Sequence, residues 1–246
     1  MTKSAARTVS TGVAHMKGYA GMPSLVIAVD GPAGSGKSTA ARQVAATLGV
    51  SYLDTGAMYR ALTWWLQEQR VELTDTAAVL ARIAEPRIEV GTHPERPRIT
   101  VDGQDVAGPI RTRQVSNSVS TVAAIPQVRA MLIGRQRDII AAAEGGIVAE
   151  GRDIGTVVAP DAAVKVYLTA SEEVRAQRRS ADLANGDPAA TVAAVQHEQA
   201  RRDQRDAAQM AIADDAVQID TTGLTLDQVV GRVVDLVRSR QAVSHG

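Results

Sequence analysis

The chain has 246 residues, and its 27 Lys and Arg residues balance 27 Asp and Glu residues. This length suits one large domain, and a net charge of zero gives no overall basic field for a nucleic acid polymer. The chain contains no Cys, which excludes disulfides and Cys-based metal sites. No run approaches the ~18 apolar residues of a membrane span. These features favour a cytoplasmic protein without a membrane partner.

Residues 1–24 are rich in Ser, Thr, Gly, Lys and Ala and show no helical or strand period. They also lack the apolar segment of a signal peptide. We therefore expect a disordered N-terminal extension. From residue 25 onward the pattern predicts a single domain over 25–240, followed by a frayed tail at 241–246.

Residues 31–38 match the phosphate-binding pattern G-x-x-x-x-G-K-[ST] without a mismatch. An apolar run at 25–29 precedes this motif and predicts a buried strand, and helix formers at 38–48 follow it. In this context backbone N–H groups and a helix N-terminus cradle phosphate oxygens. Lys37 can reach the β- and γ-phosphates of a nucleotide, and the Ser38 hydroxyl can hold Mg²⁺. The alternative is a glycine-rich turn without a ligand.

The rest of the chain alternates between short apolar runs and longer segments of helical period. We predict strands over 51–54, 146–150, 163–168 and 216–220, and helices over 37–48, 56–69, 126–143, 171–184, 188–209 and 225–240. Such alternation is typical of parallel βαβ units, so the predicted fold class is α/β. The interval 86–106 differs, because runs at 87–90 and 98–101 and the dipeptide Asp102-Gly103 predict short antiparallel strands.

A second motif begins at Asp54, directly after a predicted strand. Open parallel sheets bind their ligands at the carboxyl ends of the strands. At that place Thr55 supplies a hydroxyl, Tyr59 a ring with a donor, and Arg60 a guanidinium. The alternative is that Thr55 is a helix N-cap and that the other two side chains lie on the surface.

A third motif, Gly151-Arg152-Asp153, follows the strand predicted over 146–150. We expect its opposite charges at the same sheet edge as the phosphate-binding motif, which favours contact with a ligand. The alternative is a local ion pair between Arg152 and Asp153, which contributes little where it is exposed.

Arginines cluster on two of the predicted helices, at 175–179 and at 201–205. The residues between them, 183–187, are typical of a turn. Phosphoryl transfer needs fixed cations around the moving group. We therefore predict an arginine-rich helical lid over about 171–209, although a run of charges is more often a solvated helix face.

These motifs together resemble bacterial cytidylate kinases, of the P-loop nucleoside-monophosphate kinase family. The resemblance covers about residues 25–238 and rests on the segments 27–38, 53–60, 103–111, 120–129, 150–158 and 160–170. It implies a P-loop NTPase core with a five-stranded parallel sheet flanked by helices, a small β-containing NMP-binding insert over about 86–125, and the lid. It also implies a monomeric enzyme of pyrimidine metabolism that phosphorylates CMP and dCMP with ATP and Mg²⁺.

The resemblance also implies roles for individual residues. The phosphates of ATP are expected at Gly31, Pro32, Ala33, Gly34, Ser35, Gly36, Lys37, Ser38 and Thr39. Cytosine is expected at Ser120, Arg129 and Asp153, and the sugar and α-phosphate of CMP at Thr55, Tyr59, Arg60 and Arg152. Arg111 lies in a matched segment and joins the substrate-binding set. Lys37 and Arg202 are expected at the transferring phosphate, and Asp206 at the ribose.

The chain departs from the family pattern after Asp206, where it reads Ala-Ala-Gln over 207–209. The family carries an arginine at the position of Gln209, and a missing transition-state arginine can lower the rate by several orders of magnitude. One hypothesis is that Arg205 replaces it as a catalytic residue. The alternatives are a nucleotide-binding regulator with reduced or lost turnover, and a kinase of the same core that acts on another monophosphate or metabolite.

Overall fold

The computed structural model describes residues 25–183 and 191–243, so the extension expected at 1–24 lies outside the described residues. In chain order the elements are β1 (Val26–Asp30), α1 (Lys37–Leu48), β2 (Ser51–Asp54), α2 (Thr55–Glu68), α3 (Thr76–Leu80), β3 (Ile88–Gly91), β4 (Arg98–Val101), β5 (Gln104–Asp105), α4 (Arg113–Ala123), α5 (Pro126–Ala141), β6 (Ile147–Gly151), β7 (Val164–Thr169), α6 (Glu172–Leu183), α7 (Val192–Asp206), β8 (Val217–Asp220) and α8 (Leu226–Val243). A π-helical turn at Ile154–Val158 and 3₁₀ turns at Pro109–Arg111 and Ala207–Gln209 complete the described part of the chain. None of these helices is long and apolar enough to cross a membrane.

Five parallel strands form the central sheet in the order β2-β6-β1-β7-β8. The inner strands β6, β1 and β7 are runs rich in Val, Ile, Leu and Ala and are almost wholly buried, as parallel strands between helices must be. Strands β1 and β6 pair in register from Val26 with Ile147 to Asp30 with Gly151. The predicted five-stranded parallel α/β core is confirmed.

Two clusters of buried apolar side chains cover the two faces of this sheet. One cluster lies under α1 and α8 and includes Val44, Leu168 and Val233. The other packs α2 and α5 on the opposite face, through side chains such as Leu62 and Leu132. Because the strands are parallel, the carboxyl ends of β1, β2 and β6 lie at one edge, and the three motifs of the sequence follow these strands directly.

Residues 88–105 form a separate antiparallel sheet in the order β3-β4-β5. Asp102 and Gly103 turn the chain between β4 and β5 with φ angles of 51° and 83°, which Asp and Gly tolerate better than most residues. The Tyr52 N–H of β2 donates to the Thr92 carbonyl oxygen at 2.8 Å and so ties this segment to the edge of the main sheet. The antiparallel strands predicted within 86–106 are confirmed.

Helices α3 and α4 have no counterpart in the sequence-based prediction. Helix α3 is a single short turn that depends on the Asp75 cap, whose carboxylate accepts two backbone N–H groups. Helix α4 starts at the Thr112 cap and buries Val115, Val119 and Val122 along one narrow face. Because polar residues separate these valines, the apolar stripe is easily taken for an irregular segment.

The ends of other elements also differ from the prediction. Helix α7 spans Val192–Asp206 instead of 188–209, because the Thr191 hydroxyl caps its start and a 3₁₀ turn follows its end. Helix α8 continues to Val243, so the chain is helical rather than frayed at 241–243, where Gln and Ala favour a helix. Residues 244–246, and most of the turn predicted at 183–187, lie outside the described residues.

Candidate active site

The glycines of the phosphate-binding motif adopt backbone conformations that other residues avoid. Gly31 has a φ of 149° and Gly34 a φ of 79°. A Cβ atom at Gly31 would lie 2.2 Å from the Leu168 carbonyl oxygen, and one at Gly34 would lie 2.8 Å from the Arg175 carbonyl oxygen. The loop is therefore folded tightly against β7 and α6, and α1 starts at its end with Lys37. In this strand–loop–helix geometry backbone N–H groups can bind phosphate.

A buried carboxylate, Glu150, faces the start of α1. The Ser38 hydroxyl donates to Glu150 Oε1 at 2.7 Å, and Lys37 Nζ donates to the Pro32 carbonyl oxygen at 3.2 Å. Burial lowers the pKa of Lys37 and raises the pKa of Glu150, because both charges lose hydration, and their mutual attraction opposes both shifts. Sequence reasoning missed Glu150, although an acidic residue at the end of a strand, directly before Gly151, was a usable signal.

Ser38 and Glu150 together are the candidate ligands for Mg²⁺. Their hydroxyl and carboxylate oxygens are of the kind that Mg²⁺ prefers, and this ion usually takes its remaining ligands from water and substrate phosphates. Within the described residues no group of three or more His, Asp or Glu side chains could hold a metal ion by itself. The donor set therefore fits a metal ion that binds together with a nucleotide.

A cavity of about 640 Å³ lies over the carboxyl ends of the parallel strands. Of the predicted site residues it is lined by Ala33, Gly34, Gly36, Lys37, Ser38, Thr39, Arg60, Arg111, Arg152 and Arg202. Gly31, Pro32 and Ser35 do not line it, and Ser35 is fully buried behind the loop. Arg179 of α6, which belongs to the arginine cluster of the predicted lid, lines it as well. This main cavity thus brings cations from several separate segments around one space.

Asp54 organises the cations on one side of the main cavity. Its carboxylate lies 3.1 Å from Arg60 and 3.5 Å from Arg111. Burial by itself raises the pKa of Asp54, but attraction from the two guanidinium groups outweighs it, and the net shift is downward. An ionised Asp54 therefore holds both arginines at the cavity wall.

Thr55 makes a bond within the protein instead of capping the helix. Its hydroxyl donates to the Glu150 carbonyl oxygen at 2.8 Å. The cap of α2 is Asp54, whose carboxylate accepts the Ala57 N–H at 2.8 Å. The alternative interpretation of Thr55 as an N-cap is therefore wrong, because the preceding carboxylate already takes the free N–H group.

A second cavity of about 60 Å³ adjoins the main one. Its lining contains the predicted substrate-binding residues that the main cavity lacks, namely Thr55, Tyr59, Ser120, Arg129, Asp153 and Asp206, together with Arg152 and Arg202, which line both cavities. Asp153 forms an ion pair with Arg129, and Ser120 Oγ is buried without a hydrogen-bond partner among the described residues. A buried hydroxyl without a partner costs free energy, so a ligand that bonds to Ser120 would gain affinity.

Arg152 and Asp153 have different partners. Arg152 lies 3.0 Å from Asp206 and 3.5 Å from Asp203, both on α7, whereas Asp153 pairs with Arg129 on α5. The alternative of a local ion pair between the two neighbours is therefore wrong, because each finds a charge on another helix. Their turn instead joins α5 to α7 beside the small cavity.

Arg202 and Arg205 lie in different surroundings although both belong to α7. Arg202 lines both cavities at 3.6 Å from Asp206, and burial lowers the pKa of Arg202 to about 9. Arg205 is exposed and lines neither cavity, so the structure does not bring it to the site. Gln209 lines the small cavity, and its amide donates to the Ala123 carbonyl oxygen at 3.4 Å.

The sequence of the chain also matches known proteins. The family model for cytidylate kinase matches residues 27–239. The chain belongs to the cytidylate kinase family. A cytidylate kinase of Streptomyces avermitilis is 50% identical over 221 residues, which cover 90% of this chain and 96% of that protein. A cytidylate kinase of Streptomyces coelicolor is 52% identical over 220 residues, which cover 89% and 95% of the two chains.

Membership of the cytidylate kinase family makes the chain a nucleotide-binding kinase that phosphorylates CMP. A solved structure, shikimate kinase from Acinetobacter baumannii in complex with shikimate, is also similar to it. That similarity has a TM-score of 0.44 at 13% identity and covers 88% of this chain and 94% of the other.

Proposed function

We propose that the protein transfers the γ-phosphoryl group of MgATP to CMP and dCMP, which gives ADP and CDP or dCDP. One observation supports this best: the main cavity at the phosphate-binding loop adjoins the small cavity, and Arg152 and Arg202 line both. A donor in the first cavity and an acceptor in the second would meet beside these guanidinium groups. Phosphoryl transfer needs such fixed cations, because the protein contributes positioning and charge stabilisation.

On the donor side, the loop that starts at Gly31 and the first turn of α1 up to Thr39 would hold the phosphates of ATP through their backbone N–H groups, with Lys37 at the β- and γ-phosphates. Ser38 and Glu150 would hold Mg²⁺, which when bound neutralises charge on the phosphate oxygens. Because the Ser38 hydroxyl donates a hydrogen bond to Glu150, the lone pairs of the Ser38 oxygen remain available for a cation.

On the acceptor side, the small cavity would hold cytosine at Ser120, Arg129 and Asp153. The exocyclic amino group of cytosine can donate to the Asp153 carboxylate, whereas uracil presents a carbonyl oxygen at that position. A buried carboxylate facing an acceptor loses a hydrogen bond, at a cost of ~1–3 kcal/mol. The sugar and α-phosphate would lie along Thr55, Tyr59, Arg60 and Arg152, with Arg111 nearby and Asp206 at the ribose.

The transfer itself requires no general base, because the attacking oxygen of the CMP phosphate already carries negative charge. This oxygen forms a bond to the γ-phosphorus as the bond to the β,γ-bridging oxygen breaks, and the electron pair leaves with ADP. Lys37, Arg152 and Arg202 would stabilise the charge on the oxygens during this step. Closure of the helix pair α6–α7 over the main cavity would limit hydrolysis of ATP by water.

Gln209 is the observation that speaks for the alternative, a nucleotide-binding regulator with little or no turnover. A neutral amide stands there where the family carries an arginine. The site nevertheless retains cations close to the transfer position, because Arg202 lines both cavities and Arg179 lines the main one. The enzyme is therefore the better supported function.

A coupled assay of ADP release from MgATP tests this proposal, with CMP, dCMP, UMP, AMP and GMP as parallel acceptors. We expect turnover with CMP and dCMP and at least tenfold less with the others. Binding of CMP without turnover of any acceptor would instead support the regulator. In titration calorimetry, Asp153→Ala should weaken CMP binding far more than ATP binding, and equal losses for the two nucleotides would contradict the assignment of Asp153 to cytosine.

Three further expectations stay predictions. Removal of Mg²⁺ with EDTA should abolish turnover, and added Mg²⁺ should restore it. Light scattering should give the mass of a single chain, 25.9 kDa, if the enzyme is a monomer. Cell fractionation should find the protein in the cytoplasm.

A further inference from the structure

Asp30 is a buried carboxylate to which neither the proposed chemistry nor the sequence motifs give a role. It is the last residue of β1 and directly precedes Gly31, and it is 6% exposed. Within the described part of the chain no ion pair joins it to a cation. A buried carboxylate without a cation is costly unless strong hydrogen bonds compensate it.

Two backbone N–H groups supply these hydrogen bonds. Ile154 N–H donates to Asp30 Oδ1 and Gly155 N–H donates to Asp30 Oδ2, each at 2.8 Å. Both amides belong to the π-helical turn that begins directly after Asp153. The fit is close, because a Cβ atom at Gly155 would lie 3.1 Å from Lys165 Cδ and 3.4 Å from Asp30 Oδ2.

The position of Asp153 is thus defined by contacts from two directions. Its side chain pairs with Arg129 at the small cavity, and the two residues that follow it are bound to Asp30. Asp153 is the cap of this turn, and its carbonyl oxygen accepts the N–H groups of Val157 and Val158 at 2.8 Å and 3.2 Å. These bonds hold Asp153 to the turn but do not hold the turn itself to the sheet. The β1–β6 ladder ends at the pair Asp30 and Gly151, and beyond it the Asp30 carboxylate binds the turn after Asp153 to the strand that carries the phosphate-binding loop.

We propose that Asp30 is a positioning residue for recognition of the base: by binding Ile154 and Gly155 it holds Asp153 in the place where the carboxylate can distinguish cytosine from uracil. This inference rests on the proposed function, in which Asp153 faces the base. It means that a residue next to the ATP-binding loop helps to determine which acceptor is chosen, through the backbone and without touching the acceptor.

The variant Asp30→Asn tests this inference. Its side chain keeps the size of Asp but replaces one acceptor oxygen by an NH₂ group, which cannot accept an N–H donor. We expect kcat/KM for CMP to fall about tenfold or more while kcat/KM for UMP changes less than twofold, with KM for ATP within a factor of two of the parent. Because both acceptors are compared on one sample, the folded fraction cancels in the ratio.

Asp102→Asn is the matched control. Asp102 also accepts a backbone N–H, from Arg87 at 2.9 Å, and an indole N–H, from Trp65 at 3.1 Å, but it lies far along the chain in the antiparallel sheet and lines neither cavity. Its loss should lower the melting temperature without changing the ratio of kcat/KM for CMP and UMP. If the ratio of kcat/KM for CMP and UMP fell as much in Asp102→Asn as in Asp30→Asn, the effect would be a general loss of stability, and the inference would be overturned.

A double variant separates a positioning role from a structural one. The double variant D30N/D153N should have the same ratio of kcat/KM for CMP and UMP as Asp153→Asn alone, because there is no longer a carboxylate at residue 153 to position. A further drop of the same factor in the double variant, or an unchanged ratio in Asp30→Asn alone, would overturn the inference. If the parent protein turned over no acceptor, the proposed function would fail. The parent and the variants would then be compared by their dissociation constants for CMP and UMP, which test the inference without turnover.

Discussion

Arg113 on α4 and Glu198 on α7 form a bidentate ion pair, which joins α4 to the arginine-rich helix pair α6–α7. Arg113 Nε lies 2.8 Å and 3.1 Å from the two oxygens of Glu198. Nearby, Arg179 Nη2 donates to Ser116 Oγ at 3.2 Å. Ser116 and Arg179 both line the main cavity, so their contact and the Arg113–Glu198 pair together hold α4 against the helices α6 and α7.

Reversal of one charge should weaken this arrangement. The pair is about three-quarters buried, and such a pair contributes ~1 kcal/mol, so Arg113→Glu should raise KM for both nucleotides about fivefold. The double variant R113E/E198R restores opposite charges and should recover most of the loss in steady-state assays. If the double variant were as impaired as Arg113→Glu, the effect would not come from this ion pair.

The tight turn at Gly31 gives a second prediction. Any side chain there would meet the Leu168 carbonyl oxygen at 2.2 Å, so Gly31→Ala should lower the free energy of unfolding by ~2 kcal/mol or more and weaken ATP binding at least tenfold. Gly108→Ala is the control, because Gly108 has an ordinary φ of −76° and open space around its Cβ position. Urea titration and ATP calorimetry on both variants check the prediction, which fails if the two variants behave alike.

A third prediction distinguishes two arginines of α7. Arg202 lines both cavities and Arg205 is exposed outside them, so Arg202→Ala should lower kcat at least a hundredfold, whereas Arg205→Ala should change it less than threefold. The hypothesis that Arg205 replaces the arginine missing at 209 instead predicts that Arg205→Ala also lowers kcat by orders of magnitude. Single-turnover rates of the two variants decide between them.

Asp30 gives a prediction on pH. Burial raises the pKa of Asp30 to about 6, although the hydrogen bonds from the N–H groups of Gly155 and Ile154 lower it. The charge of Asp153 raises this pKa slightly, and the charge of Lys37 lowers it slightly. The folded state therefore holds this proton more tightly than the unfolded state, so the stability it contributes is full below about pH 4 and is lost as the pH rises through 6. Relative to Asp30→Asn, which does not titrate, the parent should be more stable at pH 5 than at pH 7.5 by roughly 1–2 kcal/mol. Urea unfolding at the two pH values measures this, and a difference that is constant with pH would contradict it.

Much of the fold follows from local sequence patterns. The apolar runs at 25–29 and 163–168 predict buried strands because a strand between two helix layers has no polar face, and the structure places β1 and β7 within one residue of those bounds. Helix α4 could not be found in the same way, because Val115, Val119 and Val122 bury only a narrow face and the Thr112 cap is one Thr among many. Its position is set by packing against α2 and α5, which lies beyond the reach of local pattern.

The candidate site was predictable where a motif carries its own geometry. Residues 31–38 specify a loop and the start of a helix, and Lys37 and Ser38 lie at the cavity as the motif requires. The roles of Glu150 and Asp30 could not be predicted, because they depend on the strand order, which brings β6 beside β1. The exposure of Arg205 likewise depends on how α7 is rotated against the site, which charge counts along the chain do not reveal.

Four of the arginines at the main cavity already have acidic partners in the protein. Asp54 faces Arg60 and Arg111, and Asp206 faces Arg152 and Arg202. An entering phosphate therefore exchanges with these carboxylates and displaces few salt ions from solution, so the protein carries its own counterions. The affinity for nucleotides should accordingly depend less on ionic strength than the number of arginines suggests. Nucleotide binding should also break ion pairs within the site, so that the carboxylates of Asp54 and Asp206 lose their arginine partners.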